Sequence, residues 1–235
     1  MKPHVKLAET LTPDGNRLTL HSHDGKFSLR VDSKELMNSA ATASEEQLGQ
    51  LAAEKIRGHK KASVLIGGLG LGFTLKSVLA LAGPRVTVCV AELMPEVVAW
   101  NRTHLAGLNG TLLDDPRVKI LTENVNATLG RAGAAPYDVI LLDIDNGPTA
   151  MVQAGNAKLY DKRGIQRIID ALKPGGRAAI WSAKPDTGFS DRLKAVGFSV
   201  EAVSAKLYAT AKRATYTIYI ADKTVPADPE PVAGA

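Results

Sequence analysis

Apolar positions along this chain switch period several times, from two to about 3.6 and back, and that switching predicts an α/β protein. Between residues 17 and 32, apolar and polar residues alternate on both sides of Asp24-Gly25, a turn dipeptide, which predicts a β-hairpin. Residues 1–16 show little pattern. Ser44 and Gln47 have the spacing of a capping box, and Leu48, Leu51, Ala52 and Ile56 then mark one helical face. Short apolar runs predict strands at 64–66, 86–90, 118–121, 137–142 and 177–182. Helical spacing predicts helices at 73–82, 95–105, 162–172 and 186–196, and another that ends at Arg131. Residues 106–115 read as a polar linker, 149–161 as a loop, Pro174-Gly175-Gly176 as a turn and Gly197 as a helix stop. The last two strands, 198–205 and 215–221, are joined without a helix and should pair antiparallel.

Strands separated by helices imply parallel pairing with helices on both faces. The expected fold is α/β: a doubly wound, mostly parallel, seven-stranded Rossmann-like sheet with an antiparallel last strand and a small N-terminal β-hairpin. The chain then divides into a hairpin extension over 1–43, a Rossmann-like domain over 44–221 and a disordered, proline-containing tail over 222–235.

Ligands on such sheets bind at the carboxyl ends of the strands, where this sequence concentrates glycine and acid. The run Val64-Leu65-Ile66 ends in Gly67-Gly68-Leu69-Gly70-Leu71-Gly72, and the next strand closes on Glu92. Side-chain-free turns let backbone approach a ligand closely, and an acid at this distance suits two ribose hydroxyls. The glycine order is G-x-G-x-G, with Phe73 where a dinucleotide site needs glycine, and no phosphate-loop lysine follows. The ligand expected is a nucleoside without that dinucleotide geometry. The strand over 137–142 runs directly into Asp143-Ile144-Asp145-Asn146.

Composition narrows the partners. Of 235 residues, 45% are hydrophobic and 23% charged, as in ordinary globular proteins. No apolar run approaches the roughly twenty residues needed to cross a bilayer, and the N-terminus lacks a signal-peptide core, so a cytoplasmic protein without a membrane partner is expected. A net charge of +5 is compatible with nucleic acid, but the basic residues are scattered and nucleic acid is disfavoured. The densest group, Lys55, Arg57, His59, Lys60 and Lys61, follows a helix, where cations complement the dipole. The single cysteine, Cys89, reads as packing inside a strand. His21 and His23 share a strand face without a further ligand nearby, so they read as solvated surface, and no metal is expected.

Four segments carry a family resemblance: VLIGGLGLG with Glu92, DDPRVKIL, YDVILLDIDNGP and LKPGG. With the hairpin and the segment ELMNSA, they make residues 17–221 resemble the spermidine synthase family of aminopropyltransferases, which share the class I AdoMet-dependent methyltransferase fold. The resemblance implies that Gly67, Gly68, Leu69, Gly70 and Gly72 hold the amino-acid or aminopropyl part of S-adenosylmethionine or its decarboxylated form. It implies Glu92 at the ribose and Asn124 at the adenine, with Leu93 among the cofactor contacts. Asp143 would be catalytic, while Asp145, Asn146 and Tyr160 would bind substrate under a covering loop. The expected partners are a small-molecule amine and a second copy of the chain. The family pattern is departed from at Gly70, where an aspartate is usual, in the shortened DIDNGP, and in SAATASEEQL, which lacks the acceptor-site tyrosine and glutamine.

Transfer from a sulfonium is an in-line displacement and needs an aligned, unprotonated nucleophile. Asp143 can accept the amine's proton or orient its N–H, and Asp145 can neutralise a cationic acceptor. Aminopropyl transfer is the favoured function. Methyl transfer to a small molecule is the alternative, since it relies on alignment and tolerates glycine at position 70. A non-catalytic nucleoside-binding protein, with Asp143 only capping a turn or touching the cofactor, is the third.

Overall fold

A computed structural model describes residues 4–144 and 157–225. The N-terminal part is a four-stranded antiparallel sheet of β1 (Val5–Leu11), β2 (Arg17–His23), β3 (Lys26–Val31) and β4 (Lys34–Asn38), paired in that order. The predicted hairpin is its centre, with Leu18 opposite Val31 and His23 opposite Lys26. β1 escaped sequence reading because it is an edge strand with no fully buried position. His21 and His23 are half-buried: His21 Nε2 lies 3.0 Å from Thr19 Oγ1, and the His23 ring stacks on His4.

Helix α1 (Ala43–Ala53) is capped differently from the expectation. Thr42 is the N-cap residue and its hydroxyl donates to Glu46 at 2.7 Å, whereas Ser44 is buried inside the helix and donates to Glu45. The Ser44–Gln47 capping box does not form.

The main domain then runs β5 (Ala62–Gly67), α2 (Phe73–Leu81), β6 (Val86–Glu92), α3 (Pro95–Arg102), α4 (Ala106–Asn109), β7 (Val118–Thr122), α5 (Val125–Arg131) and β8 (Tyr137–Leu142). It continues with α6 (Ala157–Tyr160), α7 (Lys162–Asp170), β9 (Leu172–Ser182), α8 (Thr187–Val196), β10 (Phe198–Ala205) and β11 (Tyr216–Lys223). The seven strands lie in the order β10-β11-β9-β8-β5-β6-β7, and β11 alone runs against its neighbours. α4 occupies part of the predicted linker.

The central strands are apolar on both faces, which is why they appear as runs and not as alternations. Val64, Ile66, Val88, Val90 and Leu141 pack with Leu48 of α1, Leu75 and Val78 of α2 and Val97 of α3. Leu65, Ile140, Leu142 and Ile180 face the other layer, with Leu129, Ile165, Ile168 and Leu193. Cys89 is buried in that second layer.

Two of the segments that carry the family resemblance hold the fold together. In DDPRVKIL, Arg117 grips the Asp115 carboxylate at 2.9 and 2.8 Å and donates to the carbonyls of Leu79 (3.2 Å) and Ala82 (2.7 Å). It thereby satisfies acceptors at the end of α2 that have no helical partner. In LKPGG, β9 pairs Leu172 with Tyr137 but Arg177 with Val139, so Pro174-Gly175-Gly176 is looped out within the strand instead of preceding it. Asp222 and Lys223, expected in the tail, belong instead to β11, and Asp222 accepts two 2.8 Å bonds from Arg177; residues 226–235 lie outside the described residues. The basic group after α1 is partly neutralised locally, with Arg57 paired to Glu54 and Lys55 3.7 Å from Asp222. No helix among the described residues is long and apolar enough to cross a membrane.

Candidate functional site

The carboxyl ends of β5, β6 and β8 are laced together by backbone. The Gly68 N–H donates to the Ala91 carbonyl at 2.9 Å, and the Asp143 N–H donates to the Gly67 carbonyl at 3.0 Å. The chain leaves β5 through Gly68 at φ +90°, where an added Cβ would lie 2.4 Å from the Asp143 carbonyl oxygen. Only glycine fits that approach. Gly70 has φ +51°, and a Cβ there would lie 2.5 Å from the sulfur of Met37, which reaches over from β4. The Gly72 N–H closes the turn on the Leu69 carbonyl at 2.8 Å, and α2 begins at the next residue.

Glu92 is 8% exposed and fastens this loop from β6. One carboxylate oxygen accepts from the Leu69 N–H and the other from the Met94 N–H, each at 2.8 Å. Burial pushes its pKa up, opposed by backbone donors from Met94, Leu69, Gly70 and Leu93. Replacing Glu92 with alanine is therefore expected to loosen the loop and weaken binding of a nucleoside ligand by about 1–3 kcal/mol, measured by calorimetry. Unchanged affinity in a folded variant would remove Glu92 from the site.

These elements surround a cleft of about 960 Å³, its solvent-facing part included. Its floor is Gly68, Gly70, Glu92, Leu93, Asn124 and Asp143, and its roof is the N-terminal sheet, through Leu18, Leu29, Val31, Leu36 and Met37. Glu123 also lines it, and among the described residues no lysine, arginine or histidine does. Asn124 caps α5, its side-chain oxygen accepting from the Asn126 N–H at 2.9 Å. Glu123 accepts from Thr128 at 2.7 Å and pairs with Arg131.

Asp143 follows β8 and stays partly open to the cleft. Its carboxylate accepts a 2.6 Å bond from the Thr74 hydroxyl on the first turn of α2; burial pushes its pKa up and that hydroxyl opposes the rise. Gly67, Leu69 and Gly72 shape the loop without lining the cleft. Tyr160, expected at the substrate, is instead 4% exposed and packs edge-on against Phe189 at 5.7 Å, away from the cleft wall. Asp145, Asn146 and most of the expected covering loop lie outside the described residues. Sequence reasoning missed the roof, Glu123 and Thr74; only Thr74, two residues past the loop, carried a positional signal. Among the described residues, no group of three or more His, Cys, Asp or Glu side chains is placed to hold a metal ion.

Residues 41–191 match the spermine/spermidine synthase domain. The chain is 38% identical over 121 residues to polyamine aminopropyltransferase 2 of Pseudomonas aeruginosa, a match covering 50% of this chain and 32% of that protein. It is 30% identical over 125 residues to a polyamine aminopropyltransferase of Mycobacterium tuberculosis, covering 52% of this chain and 23% of the relative. The matched stretch thus spans about a third or less of these relatives' length. Among solved structures, spermidine synthase from Thermotoga maritima superposes with a TM-score of 0.70 at 20% identity, covering 94% of this chain and 73% of the other. Human methyltransferase-like protein 13, in complex with SAH, gives 0.56 at 18% identity, covering 81% and 84%. These two likenesses show the fold.

Proposed function

Because the chain belongs to the spermine/spermidine synthase family, we propose that it transfers an aminopropyl group from decarboxylated S-adenosylmethionine to a small-molecule amine. The observation that carries this reading is the charge of the cleft. Among the described residues, Glu92, Glu123 and Asp143 line it without any lysine, arginine or histidine, in a chain whose net charge is +5. A sulfonium donor and an ammonium acceptor are both cations, and carboxylates in a partly desolvated cleft favour that charge. In this reading the glycine loop faces the donor's chain, Glu92 and Leu93 its ribose and Asn124 its adenine. The N-terminal sheet, from Val5 to Asn38, roofs the site, and the α/β domain that follows, through Lys223, forms the catalytic unit; a cytoplasmic location and a homodimer belong to the same proposal.

The reaction asks little covalent chemistry of the protein. The amine lone pair attacks the carbon next to sulfur, the C–N bond forms as the C–S bond breaks, and the electron pair stays on sulfur as a neutral thioether. Asp143 acts on the acceptor: a carboxylate whose pKa burial raises above its ordinary range is a better match for taking a proton from an ammonium.

Methyl transfer is the second reading, favoured by Gly70. With Met37 against it, the loop offers an apolar thioether where an acid would grip an ammonium on the donor. Mass spectrometry of the nucleoside product separates the two. Loss of aminopropyl leaves methylthioadenosine, the expected product from the decarboxylated donor; loss of methyl leaves S-adenosylhomocysteine. Binding with neither product would mark a non-catalytic protein.

A further inference from the structure

Helix α1 brings a second acid to Asp143. Its buried face includes Ser44, Glu45, Leu48, Gly49 and Ala52. Gly49 sets the closeness of α1 to α2, since a Cβ there would lie 2.6 Å from Ser77 Cβ and 3.0 Å from the Thr74 carbonyl oxygen. Glu45 lies one turn earlier on the same face. Thr74 is the residue whose hydroxyl binds Asp143, so the α1–α2 contact beside which Glu45 is buried falls on the element that holds the Asp143 carboxyl, and the Asp143 charge acts on Glu45. Around Glu45 stand the Ser44 hydroxyl, donating at 2.5 Å, the carboxyls of Glu46 and Asp143, and the Tyr216 hydroxyl of β11. No ion pair forms with either Glu45 or Asp143 among the described residues.

We infer that Glu45 and Asp143 work as one acid–base unit, sharing a single proton while the site is empty, with Glu45 the positioning residue that sets when Asp143 can accept the acceptor's proton. Two interacting, largely desolvated carboxyls without a cation paired to either do not both ionise at neutral pH, and such a pair titrates in two coupled steps. Burial, and after it the Asp143 charge, pushes Glu45 up to about 7. In the reaction, the acceptor ammonium gives one proton to the singly protonated pair, leaving a neutral amine and two protonated carboxyls. The amine then displaces the thioether, and the pair returns its extra proton to solvent. This role rests on the reading of Asp143 as the group that handles the acceptor's proton; the shared proton itself does not.

The test is a ¹³C-carboxyl NMR titration of the full chain without ligands, for wild type, Glu45→Gln and Asp143→Asn. We expect a wild-type Glu45 midpoint near pH 7, falling by about one pH unit or more in Asp143→Asn, and a matching fall of the Asp143 midpoint in Glu45→Gln. Stability follows the same proton. The folded Glu45 pKa lies above its ordinary 4.5, so its contribution is present below about pH 4.5 and is lost as pH rises through about 7; Glu45→Gln should flatten that loss. Midpoints that do not respond to the partner's replacement overturn the pair, whatever the activity. If the pair responds and turnover supports Asp143 as base, Glu45→Gln should move the acid limb of the pH–rate profile to lower pH. An unmoved limb overturns the catalytic role of Glu45. Turnover that survives in Asp143→Asn overturns the reading of Asp143 and leaves the shared proton standing.

Discussion

Asp143→Asn is expected to lower turnover by about a hundredfold or more while leaving donor affinity within a few-fold of wild type. The shape should survive, because the Asp143 N–H still reaches the Gly67 carbonyl and an asparagine oxygen can still accept from the Thr74 hydroxyl. What disappears is a group that can take a proton. The residual rate should then follow the acceptor's own amine, with the carboxylate limb absent from the pH profile. Calorimetry with the donor, and turnover against pH with a panel of diamines and small methyl acceptors, reads both quantities. Turnover within about threefold of wild type would exclude Asp143 as the base and move the reading to methyl transfer, where alignment suffices. Affinity that collapses with turnover would instead assign Asp143 to holding the loop.

Gly68→Ala should cost about 2–4 kcal/mol of stability and abolish most ligand binding. Two independent penalties act there. The backbone sits at φ +90°, and the new methyl would lie 2.4 Å from the Asp143 carbonyl oxygen. That oxygen cannot retreat cheaply, since the same peptide region is tied to Gly67 by a 3.0 Å bond. Relief requires parting β5 from β8, which moves Asp143 and the loop at once. Gly130, with nothing within 4 Å of an added Cβ in α5, is the matched control, where alanine should be neutral or stabilising. Urea unfolding of both variants checks the contrast, and a Gly68→Ala protein as stable as wild type would refute the tight approach.

The parts legible in the sequence were those with local causes. Runs such as Val64-Leu65-Ile66 and Ile140-Leu141-Leu142 announced strands because both faces are covered, and the acid at Glu92 and the glycine turn stood at fixed spacing from them. β1 was silent because an edge strand has little apolar face to show. Residues 173–176 looked like a turn because a looped-out bulge uses the same glycines. Glu45 was hidden for another reason. It sits in the polar first turn of α1, where acids are commonplace, and its relation to Asp143 depends on helix packing that no window of sequence contains. The ring of Tyr160 packs edge-on against Phe189 in the core, a contact that likewise depends on packing between separate helices.

The place of β11 has a consequence for biosynthesis. It is translated after β10 yet lies between β10 and β9, in register from Thr217 opposite Ser182 to Asp222 opposite Arg177. As the nascent chain leaves the ribosome, β9 therefore waits with one edge unpaired, and β10 has no place to dock. An open edge of that kind can recruit strands from other chains, so this interval is the one in which aggregation and chaperone binding compete with folding. Closure comes only when residues 216–223 have emerged and insert as a wedge. None of them lines the cleft. The sheet is thus completed by a segment that stands apart from the cleft.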